Sequence, residues 1–157
     1  MISVRSGPRD RVLAAIEILA LGIWAGALLG FAFISAPVAF RLIAPLDVVR
    51  FATLTSTSIA LLTQWGYALG GIALLTALMR AIDAGDRRAD LVRAVLVGIA
   101  LVLATFEQRV IVQAMRAVPD LASPQYHALH QQSSAVYGGA ALLVLAALAL
   151  AAARRPN

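Results

Sequence analysis

The chain has no cysteine among its 157 residues, and its basic residues are all arginine. Without thiols there is no disulfide, no thiolate metal site, no iron–sulfur cluster and no cysteine nucleophile. Also missing are a G-x-S-x-G elbow, a phosphate-binding glycine loop and an H-E-x-x-H pair, so the usual nucleophile, nucleotide and metalloprotease sites have no basis here. Charge is scarce as well: 13% of residues are charged and 61% are hydrophobic, against about half apolar in a soluble domain.

The apolar residues fall into long runs that a small soluble core could not hide, and the mean hydropathy is +0.86. A helical span needs about 20 residues, so the length holds four spans and short loops, with no room for a soluble catalytic domain. The first, about 12–40, follows Arg5, Arg9 and Arg11 and is broken only by Glu17. It is far longer than the roughly 7–15 apolar residues of a secretory signal, so it reads as a span. The others are expected at about 51–80, 91–117 and 125–153. The segment Arg80 to Arg93, with Asp83, Asp86, Arg87, Arg88 and Asp90 and with Gly85 as a helix stop, reads as a solvated loop. The expected fold is an all-α, integral membrane, antiparallel four-helix bundle in one domain.

Arginines sit at the ends of the apolar runs. One side holds Arg5, Arg9, Arg11, Arg80, Arg87, Arg88, Arg93, Arg154 and Arg155; the other holds only Arg41, Arg50, Arg109 and Arg116. Positive charge marks the cytoplasmic side. Both termini are therefore expected in the cytoplasm, with the protein in the cytoplasmic (inner) membrane. The net charge of +5 is accounted for by this pattern, and no basic cluster is interleaved with aromatics as a nucleic-acid surface requires. Gly22, Gly26 and Gly30 on the first span, and Gly66 and Gly70 on the second, recur every four residues. Glycine at that spacing lets helices approach closely in lipid, so these positions are expected to form a packing seam within the bundle or in a homo-oligomer.

Polar groups inside a membrane are costly and point to function. Most of those here fall in the half opposite the termini. Thr53, Thr57 and Gln64 share a stripe on the second helix; His127, His130, Gln131 and Ser134 share one on the last; Arg109, Gln113 and Arg116 share a face of the third. Glu107 stands apart, on a line with Ala100, Leu103, Ala104, Val110 and Ile111. A carboxylate there is expected to turn into the bundle, toward the second and fourth helices. The expected site is an outward-facing polar pocket lined by Gln64, Glu107, His127, His130 and Ser134, with Arg41 or Arg109 at its mouth. His127 and His130, joined by Glu107, have the ligand types for zinc or copper. A haem held by both histidines is disfavoured because they lie within a turn of one helix; a haem with one ligand, or one shared across a dimer, is left open. Ser133 and Ser134 lie close to His130, but a hydroxyl–imidazole pair without an orienting acid is a weak basis for catalysis. Glu17 has Arg80 or Arg93 within reach for an ion pair, and a proton path linking it to Glu107 lacks any ladder of ionisable groups.

Two stretches carry a family likeness. One runs from Gly22-Ile-Trp-Ala-Gly26 to Ala36-Pro37-Val38-Ala39-Phe40-Arg41; the other is Arg109-Val-Ile-Val-Gln-Ala-Met115-Arg116 followed by Tyr126-x-x-x-His130-x-x-Ser133. Together, from about Leu21 to Leu150, they resemble the domain-of-unknown-function 4149 family, the bacterial relatives of eukaryotic transmembrane protein 205. The resemblance implies a four-helix membrane protein and singles out Pro37, Arg41, Arg116, His130 and Ser133; it implies no settled biochemical activity. The leading expectation is a non-enzymatic protein that binds or moves a small solute or metal ion through the pocket at Glu107 and His130. The alternatives are a membrane haem or redox protein and a structural subunit of a larger membrane complex.

Overall fold

The computed structural model describes residues 7–83 and 87–153. Among these there are four long helices and no strand: α1 Pro8–Leu42, α2 Val48–Asp83, α3 Arg87–Arg116 and α4 Pro124–Ala153. All four are long and apolar enough to cross a membrane. Each packs on its neighbours in sequence, and α1 closes against α4. This is the square, up-down-up-down array that short connections impose. Asp47 Oδ1 accepts a hydrogen bond from the Arg50 amide (2.8 Å) at the start of α2, and Ser123 Oγ accepts one from the Tyr126 amide (3.2 Å) at the start of α4. There Pro124, at the first helical position, lacks only an amide that would have no helical partner.

The packing runs opposite to that of a soluble bundle. Large side chains such as Leu19, Phe33, Leu75 and Leu142 face outward, while Ala73, Ala77, Ala100 and Ala147 are completely buried. In lipid no hydrophobic force draws helices together, so small residues that allow close backbone approach gather at the interfaces. On α2 the buried positions Thr63, Gly66, Gly70, Ala73, Ala77 and Arg80 follow one another at alternating steps of three and four, the 3.5-residue repeat of a left-handed seam.

The glycine seam expected on the first span is not where α1 packs. A Cβ placed on Gly22, Gly26 or Gly30 meets nothing within 4 Å, because these positions lie off the buried line of Glu17, Leu21, Trp24 and Leu28. Gly66 and Gly70 do face a neighbour, but a side chain rather than a backbone. A Cβ at Gly66 would lie 2.9 Å from Trp24 Nε1, and one at Gly70 would lie 2.7 Å from Leu101 Cδ2 and 2.8 Å from Trp24 Cζ3. Both glycines make room for an indole.

The segment read as a solvated loop is mostly helix. Helix α2 continues to Asp83 and α3 begins at Arg87. Arg80, Asp90 and Arg93 are buried between α1, α2 and α3. Arg80 Nη1 donates to Glu17 Oε2 (2.7 Å), Arg80 Nε to Asp10 Oδ1 (2.9 Å) and Arg93 Nε to Glu17 Oε1 (2.9 Å), while Arg93 Nη2 bonds Asp90. Charge density alone suggests a loop, but charges that satisfy one another can sit inside a helical bundle. Gly85, Asp86, Arg5, Arg154 and Arg155 lie outside the described residues.

Two helices widen for one turn. In α1 the π turn Phe31–Ser35 stands just before Pro37, which has no amide to donate and whose ring crowds the carbonyl four residues earlier. In α3 the π turn Glu107–Ile111 contains neither proline nor glycine, and its ring is closed by the Val112 amide bonding the Glu107 carbonyl.

Candidate functional site

The wide turn of α3 sets the site. It brings Glu107 and Ile111 to the interior and leaves Arg109 and Val110 on the outside. Glu107 is 2% exposed. Ser133 of α4, also buried, donates its hydroxyl to Glu107 Oε1 at 2.5 Å. The other carboxylate oxygen, Oε2, is buried with no hydrogen-bond partner, as is Gln108 Oε1 beside it.

Glu107 lines an internal cavity of about 20 Å³ where all four helices meet. Roughly 10–15 Å³ accommodates one water molecule, so the space suits a single water or an ion of similar size. Its walls are Trp24 and Leu28 of α1, Leu62 and Thr63 of α2, Leu103 and Ala104 of α3, and Val136, Tyr137 and Ala140 of α4. Two hydroxyls interrupt this apolar lining. Thr63 donates to the Ile59 carbonyl (2.9 Å) and Tyr137 to the Leu28 carbonyl (3.2 Å). Both donors are committed, and both oxygens keep lone pairs that can accept. The tilted ring of Phe31, 5.9 Å from that of Tyr137, packs beside it.

The residues expected at the site divide. Glu107 and Ser133 come together, while His130, three residues before Ser133, is exposed on α4. The cavity is not lined by Gln64, His127, Ser134, Arg41 or Arg109. Gln64, His127 and Arg41 are exposed, and Ser134 bonds the carbonyl of His130 in its own helix (2.9 Å). Arg109 lines a separate groove on the outer surface of α2 and α3. Among the described residues no three His, Cys, Asp or Glu side chains are grouped to hold a metal ion. His127 and His130 are exposed on α4, whereas Glu107 is turned inward onto Ser133.

Thr63, Trp24 and Tyr137 are site residues that the stripe of Thr53, Thr57 and Gln64 misses. The stripe picks the polar line of α2, which is exposed at Thr53, Thr57 and Gln64. The line of small residues from Gly66 to Ala77, extended back three positions, reaches Thr63. No sequence signal marks the π turn at Glu107.

Residues 19–123 match the family model described as a domain of unknown function (DUF4149). This chain belongs to the DUF4149 family. The DUF4149 match takes in Trp24, Thr63 and Glu107 and ends before α4, so His130, Ser133 and Tyr137 lie beyond it. Comparison with curated proteins gives no match, and neither does comparison with solved structures. As a DUF4149 protein with four apolar spanning helices, the chain is a multi-pass membrane protein of an uncharacterised family.

Proposed function

We propose that this protein takes up a proton, or one small cation, at the Glu107 carboxylate from the membrane face opposite its termini. The observation that carries the reading is Glu107 Oε2, buried without a partner beside a cavity of single-water size. Away from water, a lone ionised carboxylate is costly; it is stable when neutral or when a positive charge joins it. Among the described residues no arginine supplies that charge. Arg109 points into another groove, while Arg80 and Arg93 are held by Glu17 at the opposite end of the bundle.

Beside Glu107 stand Ser133 and Tyr137 from α4, Thr63 from α2, and Trp24 and Leu28 from α1. His130 is exposed on α4, one turn before the Ser133 that bonds Glu107. Size favours the proton over an organic solute. The oxygens present, one carboxylate and a few hydroxyls, fall short of the six to eight that calcium takes or the near-octahedral shell of magnesium. With the termini in the cytoplasm, as the arginine balance favours, the site loads from outside the cytoplasmic membrane.

Infrared difference spectroscopy on protein in lipid nanodiscs tests this. A carbonyl band of a protonated carboxyl group is expected to appear and disappear as external pH changes, to vanish in Glu107→Gln, and to shift in Ser133→Ala. A wild-type spectrum with no titrating carboxyl band absent from Glu107→Gln would overturn the assignment. Repeating the titration with sodium or lithium in place of potassium separates proton uptake from cation binding.

A further inference from the structure

On its outer surface α3 forms, with α2, a groove of about 460 Å³ lined by Tyr67, Leu101, Val102, Thr105, Phe106 and Arg109. It is shallow and open along its length rather than enclosed. The wall makes no polar demand of its own: Tyr67 donates to Thr105 Oγ1 (3.1 Å), and Thr105 donates to the Leu101 carbonyl (2.8 Å). The exception is Arg109, an exposed guanidinium with no acidic partner among the described residues. The carboxylates at that end are engaged elsewhere, Asp47 and Asp120 with backbone amides and Glu107 with Ser133 on the inner face.

Depth gives the groove its meaning. Helix α3, Arg87–Arg116, is about 45 Å long; centred on a hydrocarbon layer of about 30 Å, it would overhang by roughly 7 Å at each end. Leu101 then lies near the bilayer centre, and Arg109, seven residues before the helix end, near the boundary between hydrocarbon and headgroups. The groove thus spans one leaflet, apolar toward the midplane and cationic at headgroup level. We propose that it is a binding site for one anionic phospholipid, with an acyl chain along Val102 and Phe106 and the phosphate on the Arg109 guanidinium. Arginine pairs with phosphate through two parallel hydrogen bonds, so a lipid phosphate in this place supplies the anion that Arg109 lacks.

Native mass spectrometry of the purified protein, offered equal amounts of phosphatidylglycerol and phosphatidylcholine, tests the site. One phosphatidylglycerol is expected to be retained with about tenfold preference, because no cation in its own headgroup offsets the phosphate as choline does in phosphatidylcholine. Arg109→Ala abolishes the preference, whereas Arg50→Ala, which alters charge at the same end but outside the groove, leaves it. Val102→Trp fills the groove on a lipid-facing surface and is expected to remove the bound lipid although Arg109 remains. Equal retention of both lipids by the wild type, preference surviving in Arg109→Ala, or retention unchanged in Val102→Trp would each overturn the proposal. So would displacement of the lipid by inorganic phosphate.

Discussion

Two buried carboxylates, one toward each end of the bundle, are treated in opposite ways. Glu17 has both oxygens bonded to guanidinium groups, Arg80 at one and Arg93 at the other, within a cluster that includes Asp10 and Asp90. Glu107 has one oxygen on a serine hydroxyl and the other on nothing. Burying a charge costs heavily unless it is paired and hydrogen-bonded. A cluster that closes on itself is a fixed part of the structure, while a half-satisfied group beside a small cavity is free to change its proton or its partner. Glu17 therefore reads as a clasp joining α1, α2 and α3, whereas Glu107 is the group we propose as a site. Trp24, seated on Gly66 and Gly70, lies between them and keeps the two polar regions apart.

The contrast can be broken most directly at the clasp. Arg93→Ala leaves Glu17 and Asp90 short of a cation in the interior and is expected to cost about 3–5 kcal/mol, measured as a lowered unfolding midpoint in detergent. Gly70→Leu drives a side chain into Trp24 and Leu101, and overpacking of that kind costs about 1–3 kcal/mol; the same change at Gly26, where there is open space, is expected to leave the midpoint nearly unmoved. Ser133→Ala removes the one hydrogen bond Glu107 has, and leaving that oxygen bare is expected to cost about 1–3 kcal/mol. Glu107→Gln is expected to shift stability by less than about 1 kcal/mol, because no ion pair is lost. Glu17→Gln measured beside it sharpens the comparison, and equal losses in the two would show that the carboxylates are not different in kind.

Some of this was legible in the residues and some was not. Four spans followed from run lengths, and the inward turn of Glu107 from its apolar neighbours. The clasp was half visible: Arg80 and Arg93 were within reach of Glu17, yet the charge-rich stretch around them resembled a loop, because charge density does not reveal mutual satisfaction. Within the bundle the glycine repeat of α1 goes unused, for a related reason. A small residue permits close approach without requiring it, and which face of α1 turns inward was settled by Glu17, Leu21 and Trp24. At the candidate site, the partnership of Glu107 with Ser133 joins residues 26 positions apart on different helices, and local patterns carry no such information. Thr63 could have been found from the three-and-four stepping of small residues on α2, whereas the π turn at Glu107 has no marker in composition.

Amino-acid order alone determined that this chain is four membrane-crossing helices, because transfer of long apolar runs to lipid and the need to satisfy every backbone amide within its own segment leave few other solutions. Tertiary structure decided which polar groups are satisfied and which are not. That depends on the rotation of each helix about its axis and on one widened turn, and both are set by packing between helices rather than by anything within a single one.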